Sequence, residues 1–191
     1  MARVMGSIVK HSLAFFHIIV LFFLANAVPA LAEQVSELRV GEPAPEFTLP
    51  GSDGKTYSLS QFKGESPVVI AFFPKAFTSG CTLECKTIAE SKDILGQYNV
   101  TYFMASVDEP ELNKKFAEKH EVSFPILSDP SKAMAKKYGV LSERGFAVRW
   151  TFYIDEQGII KKIDKQIQVR DAGKQLLNNF KALGFQKVTS Q

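Results

Sequence analysis

The chain has 191 residues, 46% of them hydrophobic and 23% charged, with a formal net charge of +3. These values describe a foldable globular protein and exclude disordered, collagenous and low-complexity classes. Two cysteines are too few for a disulfide framework or a four-cysteine zinc site. Without Arg3 and Lys10 the charge balance is close to neutral, so strong nucleic-acid binding is not expected.

At the N-terminus, Arg3 and Lys10 precede an apolar run from Leu13 to Leu24, broken by His17, and small residues lead to Ala30-Leu31-Ala32. A basic start, an apolar centre and an A-x-A exit predict a secretory signal peptide over residues 1–32, removed after Ala32. A spanning helix wants about 20 apolar residues, and His17, Asn26 and Pro29 interrupt this stretch. No stable membrane association is therefore expected after cleavage. The mature chain is expected to begin at Glu33, with a short arm over 33–39 and one domain over 40–191. The expected compartment is an exported one, the bacterial periplasm, where a cysteine pair can be oxidised and stay so.

Along the mature chain, Gly41-Glu42-Pro43-Ala44-Pro45 is stiff and turn-prone, and Gly51-Ser52-Asp53-Gly54 reads as a hairpin turn. The continuous apolar run Val68 to Phe73 stops at Pro74, as a strand buried on both faces should. A helix is expected from about Thr82 to Tyr98, then a buried strand from Val100 to Val107. Pro110 opens a helix with Leu112 and Phe116 one turn apart, and Asp129-Pro130 begins a short one ending at Gly139. Arg149–Ile154 and Ile159–Ile163 flank a hairpin turn at Asp155-Glu156-Gln157-Gly158. A last helix from Asp171 carries Leu176, Leu177, Phe180 and Leu183 and stops at Gly184. Strands alternating with helices make an α/β sandwich with a mixed central sheet. In such sheets the chemistry lies where a strand's carboxyl end meets the next helix. That junction is Pro74 to Cys85, and it contains both cysteines.

Cys81 is expected at or just before the start of a helix, where unpaired N–H groups and the helix dipole favour the nucleophilic thiolate. Gly80 lets backbone approach a small substrate, and Thr78 places a hydroxyl three residues upstream. A cysteine that follows a polar, glycine-containing turn reads as functional and not as core. Cys85 lies four positions on. In an intact helix the two Cβ atoms stand roughly 6 Å apart, whereas a disulfide needs about 3.5–4.5 Å. Bonding the two therefore requires the first turn to fray. Alternatively, Cys85 simply packs beside Ile88. Of the arginines after residue 33, only Arg149 begins an apolar strand. Alternation puts Arg149, Thr151 and Tyr153 on one face. A guanidinium entering a buried sheet needs an anion, which a thiolate would supply. An ordinary strand-end arginine fits the residues equally.

Pro74, Thr78 and Cys81 form the pattern Pro, three residues, Thr, two residues, Cys. With Phe72 to Thr82, Gly41 to Leu49, Phe124 to Asp129 and Arg149, the chain resembles a peroxiredoxin of the bacterioferritin-comigratory, or Q-type, subfamily, from about Val40 to Leu183. The resemblance implies a thioredoxin-like fold with an N-terminal β-hairpin. It also implies a thiol peroxidase acting on hydrogen peroxide and organic hydroperoxides without a cofactor or metal. Cys81 would be peroxidatic and Cys85 resolving, with a thioredoxin-like dithiol as reductant. Thr78, Arg149 and the backbone at Gly80 and Cys81 would orient the peroxide, while Pro74 would shield the thiolate. A monomer is implied. Ser79 stands where the subfamily usually has proline, and its resolving cysteine, when on this helix, usually lies five positions on. A one-cysteine mechanism therefore stays open.

Two other classes fit parts of the pattern. A copper-binding assembly protein of the Sco type has two cysteines separated by three residues plus a distant histidine, here Cys81, Cys85 and His120, and thiolates suit Cu(I). The Pro74/Thr78/Cys81 pattern has no purpose there. A thiol–disulfide oxidoreductase normally uses a C-x-x-C pair, which this chain lacks.

Overall fold

A computed structural model describes residues 37–188. The expected signal peptide and its cleavage point lie outside the described residues. A small antiparallel hairpin comes first, β1 (Thr48–Pro50) and β2 (Thr56–Ser58). Its turn is the expected Gly51 to Gly54 segment: Gly54 has φ +83° and its N–H donates to the Gly51 carbonyl at 3.0 Å. Glycine takes that backbone at no steric cost.

The main sheet contains β3 (Val68–Phe72), β4 (Thr101–Ser106), β5 (Ile126–Ser128), β6 (Thr151–Ile154) and β7 (Ile160–Asp164), in the order β5-β4-β3-β6-β7. β3, β4 and β5 run parallel, and β6 and β7 are antiparallel additions, so the sheet is mixed as expected. Every residue of β3 is buried, which explains its unbroken apolar run. Val69, Ala71 and Phe73 face one core with Cys81, Cys85 and Ile88 of α1 (Ser79–Glu90), Phe116 of α3 (Pro110–Lys119) and Leu176 and Phe180 of α5 (Ala172–Ala182). Val68, Ile70 and Phe72 face the other, with Met134 and Ala135 of α4 (Ala133–Lys137) and Phe47 beside the hairpin.

Two expectations change, and one strand is added. The first helix starts at Ser79 and not at Thr82, so Cys81 sits inside its first turn. It ends at Glu90, and a separate short α2 (Lys92–Leu95) follows Ser91. The strand β5, three residues after Pro125, carries too little alternation to be read as a strand. It is held by its partners: it pairs with β4, and Ser52 of the hairpin turn covers its other side, with the Ser52 N–H on the Ile126 carbonyl (2.9 Å) and the Ile126 N–H on Ser52 Oγ (3.0 Å).

The opposite edge is partly covered too. Gly41 and Ala44 donate to the Ile160 and Gly158 carbonyls of the β6–β7 hairpin. Farther along, Lys165 stacks its ammonium 4.1 Å from the Trp150 ring centroid and pairs with Glu37 of the N-terminal arm.

Candidate active site

The site forms where β3 ends and α1 begins. Thr78 is the N-cap of α1, with extended backbone (φ −81°, ψ 151°), and its carbonyl accepts the first helical bond from the Thr82 N–H at 2.8 Å. The N–H groups of Ser79, Gly80 and Cys81 therefore precede the helical ladder, and the positive end of the dipole surrounds the Cys81 sulfur. Cys81 is 1% exposed and carries a free thiol. Arg149, just ahead of β6, aims Nη2 at Cys81 Sγ at 3.1 Å. The alternation read from the sequence places it correctly, because Tyr153 also lies in the core that holds Cys81.

The other arm of the same guanidinium, Nη1, is bonded to Glu84. Glu84 is 1% exposed and lies one turn beyond Cys81 on α1. The arginine thus bridges two groups of one helix face. A buried carboxylate is tolerable only when paired, so Glu84 fixes where the guanidinium can sit. Sequence reasoning missed Glu84. The available signal was an acid at i+3 from the cysteine, on the same face as Ile88.

The remaining site residues are nearby but engaged differently. Thr78 is exposed, and its hydroxyl donates to the Lys75 carbonyl at 2.9 Å. Its proton is committed, which leaves oxygen lone pairs to accept from a ligand O–H. Pro74 is half-buried, two residues after β3. At Gly80 an added Cβ would lie 3.6 Å from Arg149 Nη2, so the backbone passes close to the guanidinium. Between Pro74 and Thr78, Phe77 takes φ +64°, a left-handed conformation that costs a bulky residue about 1–2 kcal/mol. Its ring packs edge-on against Phe116 (centroids 5.2 Å), and the Ala76 N–H donates to buried Asp108 Oδ2 at 2.8 Å. Sequence reasoning missed both anchors.

Cys85 is fully buried with a free thiol. Burial, reinforced by neighbouring Cys81, pushes its pKa up to about 12. In the closed helix it is a thiol and not a nucleophile.

Two clefts lie away from the cysteines. One is lined by Pro43, Leu59 and Asp155, another by Asn99, Glu156 and Phe185, at the strand ends remote from Cys81. His120 packs on Phe116 (4.9 Å) and faces Phe77 (6.3 Å), and burial with Lys86 and Lys119 nearby holds its pKa below the ordinary value. Among the described residues no group of three His, Cys, Asp or Glu side chains gathers as a metal site. The copper reading has no support in this geometry.

Comparison with known proteins gives the family and the fold. Residues 40–163 match the AhpC/TSA family. The chain is 34% identical over 136 residues to peroxiredoxin Bcp of Escherichia coli, covering 68% of this chain and 86% of the relative. To peroxiredoxin Bcp of Bacillus subtilis it is 30% identical over 151 residues, covering 75% and 96%. Among solved structures it is similar to the peroxidoxin BcpB of Mycobacterium tuberculosis, with a TM-score of 0.69, 26% identity and coverage of 76% and 98%. A PrxQ mutant of Xylella fastidiosa, at 24% identity and a TM-score of 0.72, shares the fold.

Proposed function

The chain belongs to the AhpC/TSA family and is a peroxiredoxin-type thiol peroxidase; from that premise we propose that Cys81 attacks the peroxide and that Cys85 then closes a disulfide with it. The observation that carries this reading is Arg149 Nη2 at 3.1 Å from Cys81 Sγ, at the N-terminus of α1. The cation and the free N–H groups stabilise the thiolate and the charge that develops on the peroxide oxygens.

In the first step the Cys81 thiolate attacks one peroxide oxygen. An S–O bond forms, the O–O bond breaks, and the departing alkoxide or hydroxide takes a proton to leave as alcohol or water. Cys81 becomes a sulfenic acid. Thr78 Oγ accepts from the peroxide O–H, since its own proton is held by the Lys75 carbonyl. Arg149 and the Gly80 and Cys81 N–H groups face the oxygen that leaves. Pro74 limits water at the sulfur. This recognition engages only the two oxygens and one proton, which suits hydrogen peroxide and organic hydroperoxides alike.

In the second step Cys85 attacks the Cys81 sulfur, and the hydroxyl leaves as water. The pair is four residues apart on α1, so the first turn must unwind. Unwinding also exposes Cys85 and returns its pKa from about 12 toward the ordinary range, which creates the second nucleophile. Burial thus keeps Cys85 silent until the helix opens. A thioredoxin-like dithiol supplies the two electrons that restore both thiols. The basic start, apolar run and Ala30-Leu31-Ala32 exit support an exported, periplasmic protein, and the family match begins only at residue 40. A monomer is supported by the partly covered β7 edge, where Lys161 and Lys165 discourage strand addition.

The test mixes reduced protein with hydrogen peroxide and a dithiol and follows peroxide loss. Wild type consumes peroxide and Cys81→Ser does not; undiminished consumption by Cys81→Ser overturns the assignment. Mass spectrometry of the treated wild type shows a Cys81–Cys85 link. Overoxidised Cys81 beside a free Cys85 removes the resolving role and leaves a one-cysteine enzyme.

A further inference from the structure

We propose that Asp108 is a positioning residue for the peroxide site, holding the Pro74–Thr78 loop in its reactive shape through the Ala76 N–H; this rests on the reading of Cys81 as peroxidatic. Asp108 follows β4 in the junction beside the one that follows β3. Its Oδ2 accepts from the Ala76 N–H at 2.8 Å and from Ser106 Oγ at 3.1 Å. Ser106 Oγ in turn accepts from Asn113 Nδ2 at 3.0 Å, and Asn113 Nδ2 also donates to Ser128 Oγ at 2.8 Å. Asn113 is 0% exposed, and Ser106 and Ser128 are each 1% exposed. A buried polar chain therefore runs across the carboxyl ends of all three parallel strands and finishes on the active-site loop.

Nothing in the core requires such a chain, since an apolar seam would fill the same space without desolvating polar groups. Its one outlet to the site is the Ala76 N–H. The next residue, Phe77, is left-handed at φ +64° and is held on its far side by Phe116 of α3. Asn113 belongs to the same helix. The loop is therefore gripped at adjacent residues by α3, once through the Asn113–Ser106–Asp108 chain and once through an aromatic contact. Releasing Ala76 lets Phe77 relax to an ordinary φ and turns the Lys75–Thr78 segment. Thr78 Oγ then no longer meets the peroxide, while Arg149, on another element, stays by the sulfur.

The experiment compares Asp108→Ala, Asp108→Asn and wild type in two reactions of Cys81. One is reduction of hydrogen peroxide, which needs the loop. The other is alkylation by iodoacetamide, which needs only an accessible thiolate. Asp108→Ala should slow the peroxide reaction by about 10- to 100-fold, the range that misplacement of about 1 Å produces, with alkylation within about twofold of wild type. Asp108→Asn should recover to within about threefold, because its amide oxygen still accepts from Ala76 and Ser106. The proposal is overturned if Asp108→Ala reduces peroxide at the wild-type rate, if Asp108→Asn is as slow as Asp108→Ala, or if alkylation falls in parallel. Should Asp108→Ala not fold, Ser106→Ala keeps the carboxylate but removes the hydroxyl that links it to Asn113. It should slow peroxide reduction by about three- to tenfold at unchanged alkylation, and a wild-type rate there overturns the proposal. Peroxide consumption by Cys81→Ser is a separate result, which removes the underlying reading and not the role of Asp108 alone.

Discussion

The two ends of α1 are built in opposite ways. At its start, Ser79 and Gly80 are weak helix formers, the N-cap hydroxyl is turned to Lys75, and the first turn is held through the Arg149 bridge to Cys81 and Glu84. At its end, the helix is pressed on α5. An added Cβ at Gly173 would meet Ser91 Oγ at 2.0 Å and the Thr87 carbonyl at 2.5 Å, and Thr87 Oγ1 reaches the Val169 carbonyl at 3.1 Å. Cys85 lies between the two regimes. The proposed opening of the first turn would leave the helix seated against α5, because the two turns use different partners.

The largest expected effect comes from removing the bridge. Arg149→Ala leaves Glu84, 1% exposed, as an unpaired buried carboxylate, which should cost about 3 kcal/mol of stability and abolish rapid peroxide reduction. Urea unfolding and peroxide loss measure the two effects, and an unchanged unfolding midpoint would show that the bridge holds nothing.

Gly173→Ala attacks the anchored end instead. Its new methyl meets backbone as well as side chain, so an overpacking cost of about 1–3 kcal/mol is expected. Because the first turn is not touched, reaction of Cys81 with peroxide in the folded protein should be spared. A loss of peroxide reactivity as large as the loss of stability would mean that the two ends are one unit.

A pH effect isolates Cys85. Its pKa is raised from 9.0 to about 12 in the closed state, so between these values the folded form holds a proton that the unfolded form releases. Stability of the reduced protein therefore falls as pH rises above about 9, by about 1.4 kcal/mol at pH 10. Cys85→Ala should flatten this part of the pH profile, and an identical slope in wild type and variant would remove the explanation. Local opening draws on the same proton, so closure of the disulfide should speed up over the same window.

The smallest effect is at Gly80. Its Cβ position is 3.6 Å from Arg149 Nη2, an ordinary contact. Gly80→Ala should stiffen the first turn by about 0.5–1 kcal/mol and slow disulfide closure severalfold, more than it slows sulfenic acid formation. Trapping the sulfenic acid over time reads both rates.

Much of this was legible in the residues. Gly54 and Gly158 mark hairpin turns because both need positive φ, Pro110 opens α3 at its first turn, and strand alternation brought Arg149 to the face of Cys81. What escaped was set by contacts between distant segments. Ser-Gly-Cys is too weak a helical start to place at Ser79, and the break at Ser91 reflects packing at Gly173. Glu84 and Asp108 look like solvated acids until the fold gives them Arg149 and the Ala76 N–H. The strand β5 exists because β4 and Ser52 complete its hydrogen bonds, not because Ile126 to Ser128 prefer extension.

Trp150 gives the molecule a built-in optical reporter. It is the only tryptophan in the chain, directly follows Arg149, and carries the Lys165 ammonium 4.1 Å over its ring. Any shift of the arginine during the catalytic cycle is one residue from the indole, so intrinsic emission should step on oxidation and return on reduction without a label. The same ring senses the N-terminal arm, because Lys165 also pairs with exposed Glu37. Added salt screens that exposed pair and leaves the buried bridge alone. Ionic strength thus separates emission changes that arise at the arm from those that arise at the sulfur.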